Sequence, residues 1–295
     1  MTAARANTFL LITAIIWGAG FIAQSSAMEH IGPFFFISLR FAVATLAMLP
    51  LALREHYAAP KQLQTSDWKM FALIGLILFF GMASQQAGLM TTSVTNSGFL
   101  TGLYLIIVPM LGVAFYREWP HWVIWPSALS ALFGIFLLSG GHLDRLVVGD
   151  WYTIICAFFW ALQILFINRY TNTTGRPVTQ AVTQFAVTAA LGFVCALLFE
   201  TLDWGAVILA SGDILFAGVF AGGIAFTFQS IGQRHTTAAK AAIILSSEAL
   251  FAALFDALIN ETRISGLPLI GCALIFAAML TVELVPMWLR KPAAP

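Results

Sequence analysis

Long apolar runs separated by short polar segments extend along the whole chain. Ten of these runs are close to the length of about 20 residues that a helix needs to cross about 30 Å of hydrocarbon. We therefore predict an all-α integral membrane protein with ten transmembrane helices. The predicted spans are residues 8–28, 33–53, 68–90, 92–115, 121–140, 150–168, 179–199, 212–233, 237–258 and 265–289.

The composition supports a bilayer as the solvent. Of the 295 residues, 60% are hydrophobic and 9% are charged, whereas about a quarter are charged in ordinary soluble domains. The net charge of +1 predicts no nucleic-acid partner. Cys156, Cys195 and Cys272 lie inside apolar runs without metal-ligand spacing, so we expect no metal site and no cofactor.

The distribution of Lys and Arg predicts the orientation. If the N-terminus is cytoplasmic, eleven of these residues fall on the cytoplasmic side and only Arg145 and Arg263 fall on the opposite side. We predict a multi-pass protein of a bacterial cytoplasmic membrane with both termini inside. An alternative is that the first span is a signal peptide, because Arg5 precedes it and Ser25-Ser26-Ala27 resembles a cleavage site. That span is longer than a signal core and has a counterpart later in the chain.

The chain repeats itself at an offset of 142 to 145 positions. Ala14-Ile-Ile-Trp17 matches Ala157-Phe-Phe-Trp160, and Glu118 matches Glu261. Each copy holds five spans, an odd number, so the second copy enters the bilayer from the opposite side. The sequence predicts two inverted five-helix repeats, residues 1–145 and 146–295. Inverted repeats are typical of secondary transporters, although a duplicated bundle with another activity is an alternative.

Several motifs resemble the drug/metabolite transporter superfamily, in particular its EamA-type ten-helix members. They cover most of the chain: Trp17-Gly18-Ala-Gly20-Phe21, Ile31-Gly32-Pro33, Arg40-Phe41, Ser97 to Pro109, and Ser246-Ser247-Glu248 followed by Glu261. At Ala249 the sequence departs from the family, which usually has a proline there. The chain also resembles the YddG-type amino-acid exporter branch.

The resemblance implies export of small metabolites such as aromatic or other neutral amino acids, by alternating access. It places a central cavity among helices one, three, four, six, eight and nine. It implies a lipid bilayer and a small-molecule substrate as partners. The oligomeric state is left open.

Polar and aromatic residues near mid-span are the candidate substrate-binding residues, because polar groups are costly in a bilayer. They are Trp17, Gln24, Ser84, Gln85, Asn96, Thr101, Tyr104, Trp160, Gln163, Gln229, Ser246 and Glu248. Amides and hydroxyls can bind both charges of a zwitterion, and aromatic faces attract cations. The alternative is structural, since amides and hydroxyls also join helices in membranes.

Glu248 is a mid-span carboxylate, which must be paired, hydrated or protonated. We expect it either to bind a substrate ammonium group or to exchange a proton, and the structural alternative is an ion pair with Arg40. Gly98-x-x-x-Gly102 and Gly218-x-x-x-Gly222 have the spacing at which helices approach closely.

No ATP-binding motif occurs in the sequence, so we expect a gradient of substrate, proton or ion to drive transport. A membrane-embedded enzyme acting on a lipid or a lipid-linked substrate is one alternative. An enzyme should gather several acids, bases or metal ligands, and Glu248 is almost alone. A channel is the other alternative, although it needs a continuous polar lining that this chain does not show. We therefore predict a transporter and not an enzyme.

Overall fold

The computed structural model describes residues 1–92, 94–141, 146–259 and 266–288, and their side chains except those of Ala3, Phe21, Ile22, Ser25, Val94, Thr95, Asn96 and Met287. In these ranges the chain is helical and has no β-strand. Ten long helices occupy the described residues. They are α1 (Ala3–Met28), α2 (Pro33–Ala58), α3 (Thr65–Leu89), α4 (Val94–Thr101 and Tyr104–Tyr116), α5 (Ile124–Leu138), α6 (Val148–Thr174), α7 (Pro177–Phe199), α8 (Ser211–Phe216, Ala217–Ala225 and Phe226–Gln233), α9 (Ala238–Leu245 and Glu248–Ile259) and α10 (Leu267–Trp288).

Most of these helices can cross a membrane. Among the described residues, eight are long and apolar enough, and α5 is a shorter apolar helix. The remaining helix, α1, has 26 residues and would extend about 39 Å at 1.5 Å per residue. Large apolar side chains such as Leu46, Leu198 and Phe199 are exposed on the outside of the bundle. The bundle is therefore a multi-pass membrane protein whose apolar surface suits lipid.

The helices pack with a two-fold pattern that exchanges each helix of the first half with its counterpart five helices later. α1 packs on α8 and α9, and correspondingly α6 packs on α3 and α4. α2 packs on α8 as α7 packs on α3. α2 packs on α7, and α5 packs on α10. In each of these pairs the two helices are counterparts, so the two-fold operation maps the pair onto itself. This is the packing of two inverted repeats.

Two glutamates make the same contact at opposite ends of the α2–α7 pair. Glu200, just after α7, accepts two backbone N–H hydrogen bonds at the start of α2, with lengths of 2.7 and 2.8 Å. Glu55, near the end of α2, accepts two at the start of α7, with lengths of 3.2 and 2.7 Å. The donors are Phe34 and Phe35 for Glu200, and Val178 and Thr179 for Glu55. Each carboxylate satisfies N–H groups that lack a partner within their own helix and favours the positive end of its dipole. Since each helix end meets the start of the other helix, α2 and α7 are antiparallel.

Glycines allow the helices of the two halves to approach closely. A Cβ at Gly75 of α3 would lie 2.7 Å from the Cβ of Val187 in α7, and a Cβ at Gly218 of α8 would lie 2.6 Å from the Cβ of Val43 in α2. These two contacts are related by the repeat. Gly218 therefore supports the close approach that its spacing predicted, whereas a Cβ at Gly98 would have no neighbour within 4 Å.

Candidate functional site

A cavity lies at the centre of the bundle, between the two halves. It contains about 650 Å³ of space between atoms, including space open to solvent. Helices α1, α3, α4, α6, α8 and α9 line it, and so does α2 through Arg40.

Two interrupted helices bring Tyr104 and Glu248 to the cavity. α4 is interrupted at Gly102-Leu103 and α9 at Ser246-Ser247, and the two interruptions are 144 positions apart. Each cavity residue is the first residue after its interruption. In α9 the hydroxyls of Ser246 and Ser247 donate to the carbonyls of residues 243 and 244, at 2.8 and 2.7 Å, and such bonds compete with the regular helix. The interruption therefore forms without the proline that the family usually has at Ala249.

An aromatic cluster forms one wall of the cavity. The ring of Phe226 lies 4.7 Å from that of Trp17 and is stacked 5.9 Å from that of Trp160. The two indoles, which the repeat relates, are 6.1 Å apart. Aromatic faces at this spacing offer dispersion contacts to an apolar group and attraction to a cation.

The middle segment of α8, Ala217–Ala225, is a π-helix. Two side chains of α1 hydrogen-bond to its carbonyls: Trp17 donates from Nε1 to Ala221 at 2.9 Å, and Thr13 donates from its hydroxyl to Ala225 at 3.0 Å. π-Helices are rare and occur frequently at functional sites. Here the π-helix holds the Trp17 indole against the cavity.

Amides and a guanidinium form the polar part of the lining. Arg40 of α2 donates from Nη1 to Oε1 of Gln24 at 3.1 Å. Gln85 and Gln229, which are 144 positions apart, line the cavity from α3 and α8. The amide of Gln229 is oriented by Gln163, to which it donates at 3.1 Å. The amides contribute donors and acceptors, and Arg40 contributes donors only.

Glu248 lines the same cavity, is half-buried, and receives no hydrogen bond from any described residue. An ion pair between Arg40 and Glu248 was the structural alternative, and it does not form. The ion pairs among the described residues are Arg169–Glu118 and Lys240–Glu283. The cavity therefore presents a guanidinium and a carboxyl group that do not form a direct ion pair.

The structure brings most of the sequence-predicted residues to this cavity. Those that line it are Trp17, Gln24, Gln85, Thr101, Tyr104, Trp160, Gln229 and Glu248. Gln163 lies behind the lining, Ser246 bonds to its own helix, and Ser84 does not contribute to the lining. The side chain of Asn96 lies outside the described residues.

Arg40, Met82 and Phe226 are not among the site residues predicted from the sequence. All three line the cavity. Met82 and Phe226 are related by the repeat, 144 positions apart, but neither carries a polar signal that would mark it in the sequence. The small residues Gly20 and Ala217 also line the cavity and give no chemical signal in the sequence.

No group of three or more potential metal ligands occurs among the residues that the structure describes. The arrangement offers binding groups for a polar molecule with an organic side chain.

A bundle of two antiparallel halves around a central cavity is typical of secondary membrane transporters. A crystal structure of a protein with 19% sequence identity has the same fold, with a TM-score of 0.81 over 96% of this chain and 99% of that chain. The model of the EamA-like transporter family matches twice, at residues 4–140 and 147–284. The chain belongs to the EamA-like transporter family.

Two relatives indicate how far the similarity extends. An uncharacterized transporter of Archaeoglobus fulgidus is 29% identical over 282 residues, which cover 95% of this chain and 86% of that protein. An S-adenosylmethionine uptake transporter of Rickettsia conorii is 30% identical over 162 residues, which cover 51% of this chain and 53% of that protein.

Proposed function

We propose that this transporter exports small zwitterionic metabolites, above all neutral amino acids, by alternating access through the central cavity. The observation that supports this most directly is the set of polar and aromatic groups in the lining. Arg40 and Glu248 supply a guanidinium and a carboxyl group that do not pair with each other, and the aromatic cluster of Trp17, Trp160 and Phe226 forms one wall of the same cavity. An amino acid has the complementary carboxylate, ammonium group and side chain.

A second depression supports the alternating-access part of the proposal. About 930 Å³ of space between atoms, including space open to solvent, lies between α4, α6 and α9, near the end of the bundle that holds the chain's N-terminus. The same three helices line both spaces. On α6, Ile164 lines the central cavity and Leu165 lines the second space. On α4, Tyr104 lines the central cavity and Val108 lines the second space. On α4 about one helical turn separates the two linings, and on α6 adjacent residues belong to them. Small helix movements would then suffice to transfer access from one space to the other.

Under this proposal Glu248 either binds the ammonium group of the substrate or exchanges a proton that couples transport to the proton gradient. Its half-buried carboxylate without a hydrogen-bond donor among the described residues suits both roles. Both chain termini would lie in the cytoplasm of a bacterial cell, as the Lys and Arg distribution predicts. The two repeats would divide near residue 145.

Counterflow in proteoliposomes tests the proposal. Vesicles loaded with unlabelled L-phenylalanine or L-leucine should accumulate the labelled amino acid above equilibrium, because a carrier exchanges substrate faster against a loaded opposite side. A channel gives no such acceleration, and a membrane enzyme changes the compound chemically. Export in the cell is tested by overexpression, which should protect cells against toxic amino-acid analogues. Absence of counterflow with a panel of neutral amino acids would exclude the proposal.

A second candidate function is uptake of S-adenosylmethionine, which the Rickettsia conorii relative favours. S-Adenosylmethionine carries a carboxylate that suits Arg40 and a sulfonium cation that suits Glu248. Its adenine ring can stack on the two indoles. The same vesicles distinguish the two functions. Counterflow of labelled S-adenosylmethionine that excess neutral amino acids do not inhibit would support the second candidate and contradict the first.

A further inference from the structure

Arg40 lies within α2 with only 4% of its surface exposed, yet it has few partners. A guanidinium has five N–H donors. The structure gives it one hydrogen bond, to Gln24, and its buried Nε has no hydrogen-bond partner among the described residues. Its guanidinium carbon lies 4.9 and 5.5 Å from the ring centres of Phe41 and Phe36. Aromatic contacts and one amide compensate only part of the cost of burying this charge.

No acidic side chain of the described residues lies within ion-pair distance of Arg40. A charged side chain inside a membrane protein normally pairs with an opposite charge or faces a cavity. Arg40 does the second, since it lines the central cavity. The counter-ion can therefore come from a molecule in that cavity.

The repeat shows that the fold does not require a cation at this position. The residue related to Arg40 is Gln184 of α7, 144 positions later, which is fully buried. Its Oε1 accepts from Gln163 at 3.5 Å. Its position in α7 corresponds to that of Arg40 in α2, so a neutral amide fits the helix packing there. The positive charge in the first half therefore has a cause outside the packing.

We propose that Arg40 binds the carboxylate of the transported molecule and that Gln24 orients the guanidinium for this contact. The fork of N–H groups matches a carboxylate geometrically. Together with Glu248, Arg40 then fixes the direction in which a zwitterion lies in the cavity. It selects amino acids against their amides, which lack the negative charge. This inference rests on the proposed function for the identity of the substrate but not for the binding of a carboxylate.

Arg40→Gln places in α2 the residue that α7 carries at the related position. The probes are L-phenylalanine and L-phenylalaninamide, whose binding is measured by the shift in melting temperature of the purified protein and by inhibition of counterflow. We expect the wild-type protein to prefer the acid by at least about tenfold. Arg40→Gln should weaken binding of the acid by about 10- to 100-fold, as removal of a charged hydrogen bond does. Binding of the amide should change by less than about twofold, so the preference disappears.

Arg40→Lys keeps the positive charge but loses the paired N–H donors of the guanidinium. It replaces Arg40→Gln in the test if the glutamine variant does not fold. It should lower the affinity for L-phenylalanine by about three- to tenfold and leave the amide unaffected. Size-exclusion profiles and melting temperatures without ligand check the folding of both variants.

The outcomes separate this inference from the proposed function. If no amino acid shows counterflow, but 3-phenylpropionate raises the melting temperature of the wild type and not of Arg40→Gln, the function is wrong and the carboxylate site stands. If Arg40→Gln, or Arg40→Lys in its place, keeps the wild-type ratio of acid to amide affinity, Arg40 does not bind the carboxylate. Failure of all these carboxylates to stabilise the wild type also overturns the inference.

Discussion

The helix contacts of the first half recur in the second half almost position for position. Gly75 packs on Val187 as Gly218 packs on Val43, and Glu200 caps α2 as Glu55 caps α7. These contacts lie between the halves, so each occurs twice, once at each end of the two-fold arrangement. A change in either copy disturbs a close fit, and both copies therefore keep the same small or capping residue.

The cavity lining of the two halves is only partly alike. The indoles of Trp17 and Trp160 and the amides of Gln85 and Gln229 occur in related pairs. In contrast, the phenol of Tyr104 in the first half corresponds to the carboxyl group of Glu248 in the second.

The same contrast holds for backbone and charge elsewhere. Arg40 corresponds to the neutral Gln184, and the π-helix Ala217–Ala225 corresponds to a regular part of α3. A substrate lacks the two-fold symmetry of the bundle, so residues that contact it are free to differ between the halves. The differences therefore mark the positions where recognition of the substrate is expected, and the shared contacts mark the scaffold.

The largest expected effect comes from removing the charge that distinguishes the second half. Glu248→Gln should lower the rate of amino-acid counterflow by about 10- to 100-fold, because a charged hydrogen bond to the ammonium group is lost. It should also flatten the pH dependence of transport, since an amide does not titrate. Initial rates in proteoliposomes between pH 5 and pH 9 measure both effects.

The matched control is Tyr104→Phe at the related position of the first half. It removes only a hydroxyl, and we expect rates within about threefold of wild type. Wild-type rate together with unchanged pH dependence in Glu248→Gln would exclude both roles proposed for this carboxylate. An equal loss in the two variants would show that the cavity is functionally symmetric.

A smaller effect is expected from the shared glycines. Gly75→Ala and Gly218→Ala each place a Cβ within 2.7 Å of a valine Cβ, so the helices must separate or shift. Overpacking of this kind typically lowers the free energy of unfolding by about 1–3 kcal/mol. Thermal or detergent-induced unfolding of the purified protein measures it.

Gly98→Ala is the control, because a Cβ there meets nothing within 4 Å. It should leave the free energy of unfolding unchanged or raise it slightly, since alanine favours helix over glycine. If only one of the two clashing variants is destabilised, the scaffold contacts of the two halves are not equivalent in energy.

The sequence predicted the helices well and their ends less well. Hydrophobic length locates a membrane span, but a helix continues into water where its polar residues allow it. α1 thus begins at Ala3 and not at residue 8, and α6 continues to Thr174 and not to 168. The interruption of α9 before Glu248 arises from serine hydroxyls, which have no signal as distinct as a proline.

The site was predicted from residue type and depth in the membrane, and neither says which face of a helix meets the cavity. Gln163 and Gln229 are both mid-span amides, yet Gln229 lines the cavity and Gln163 supports it from behind. Phe226 contributes to the aromatic wall but is one of 26 phenylalanines in an apolar chain. The repeat relates Phe226 to Met82, and both line the cavity, but an apolar residue in an apolar helix does not reveal its face.

The smallest expected effect comes from the two capping glutamates. Glu55→Gln and Glu200→Gln keep one acceptor oxygen and lose the charge, so each should lower the free energy of unfolding by about 1 kcal/mol. The two caps lie at opposite ends of α2 and α7, and effects at distant sites usually add. The double variant should therefore lose the sum of the single losses, while Glu29→Gln, at an exposed residue, should change little. A double variant no less stable than either single variant would mean that the caps act on one common step of unfolding, and the two ends of the α2–α7 pair would then not be independent.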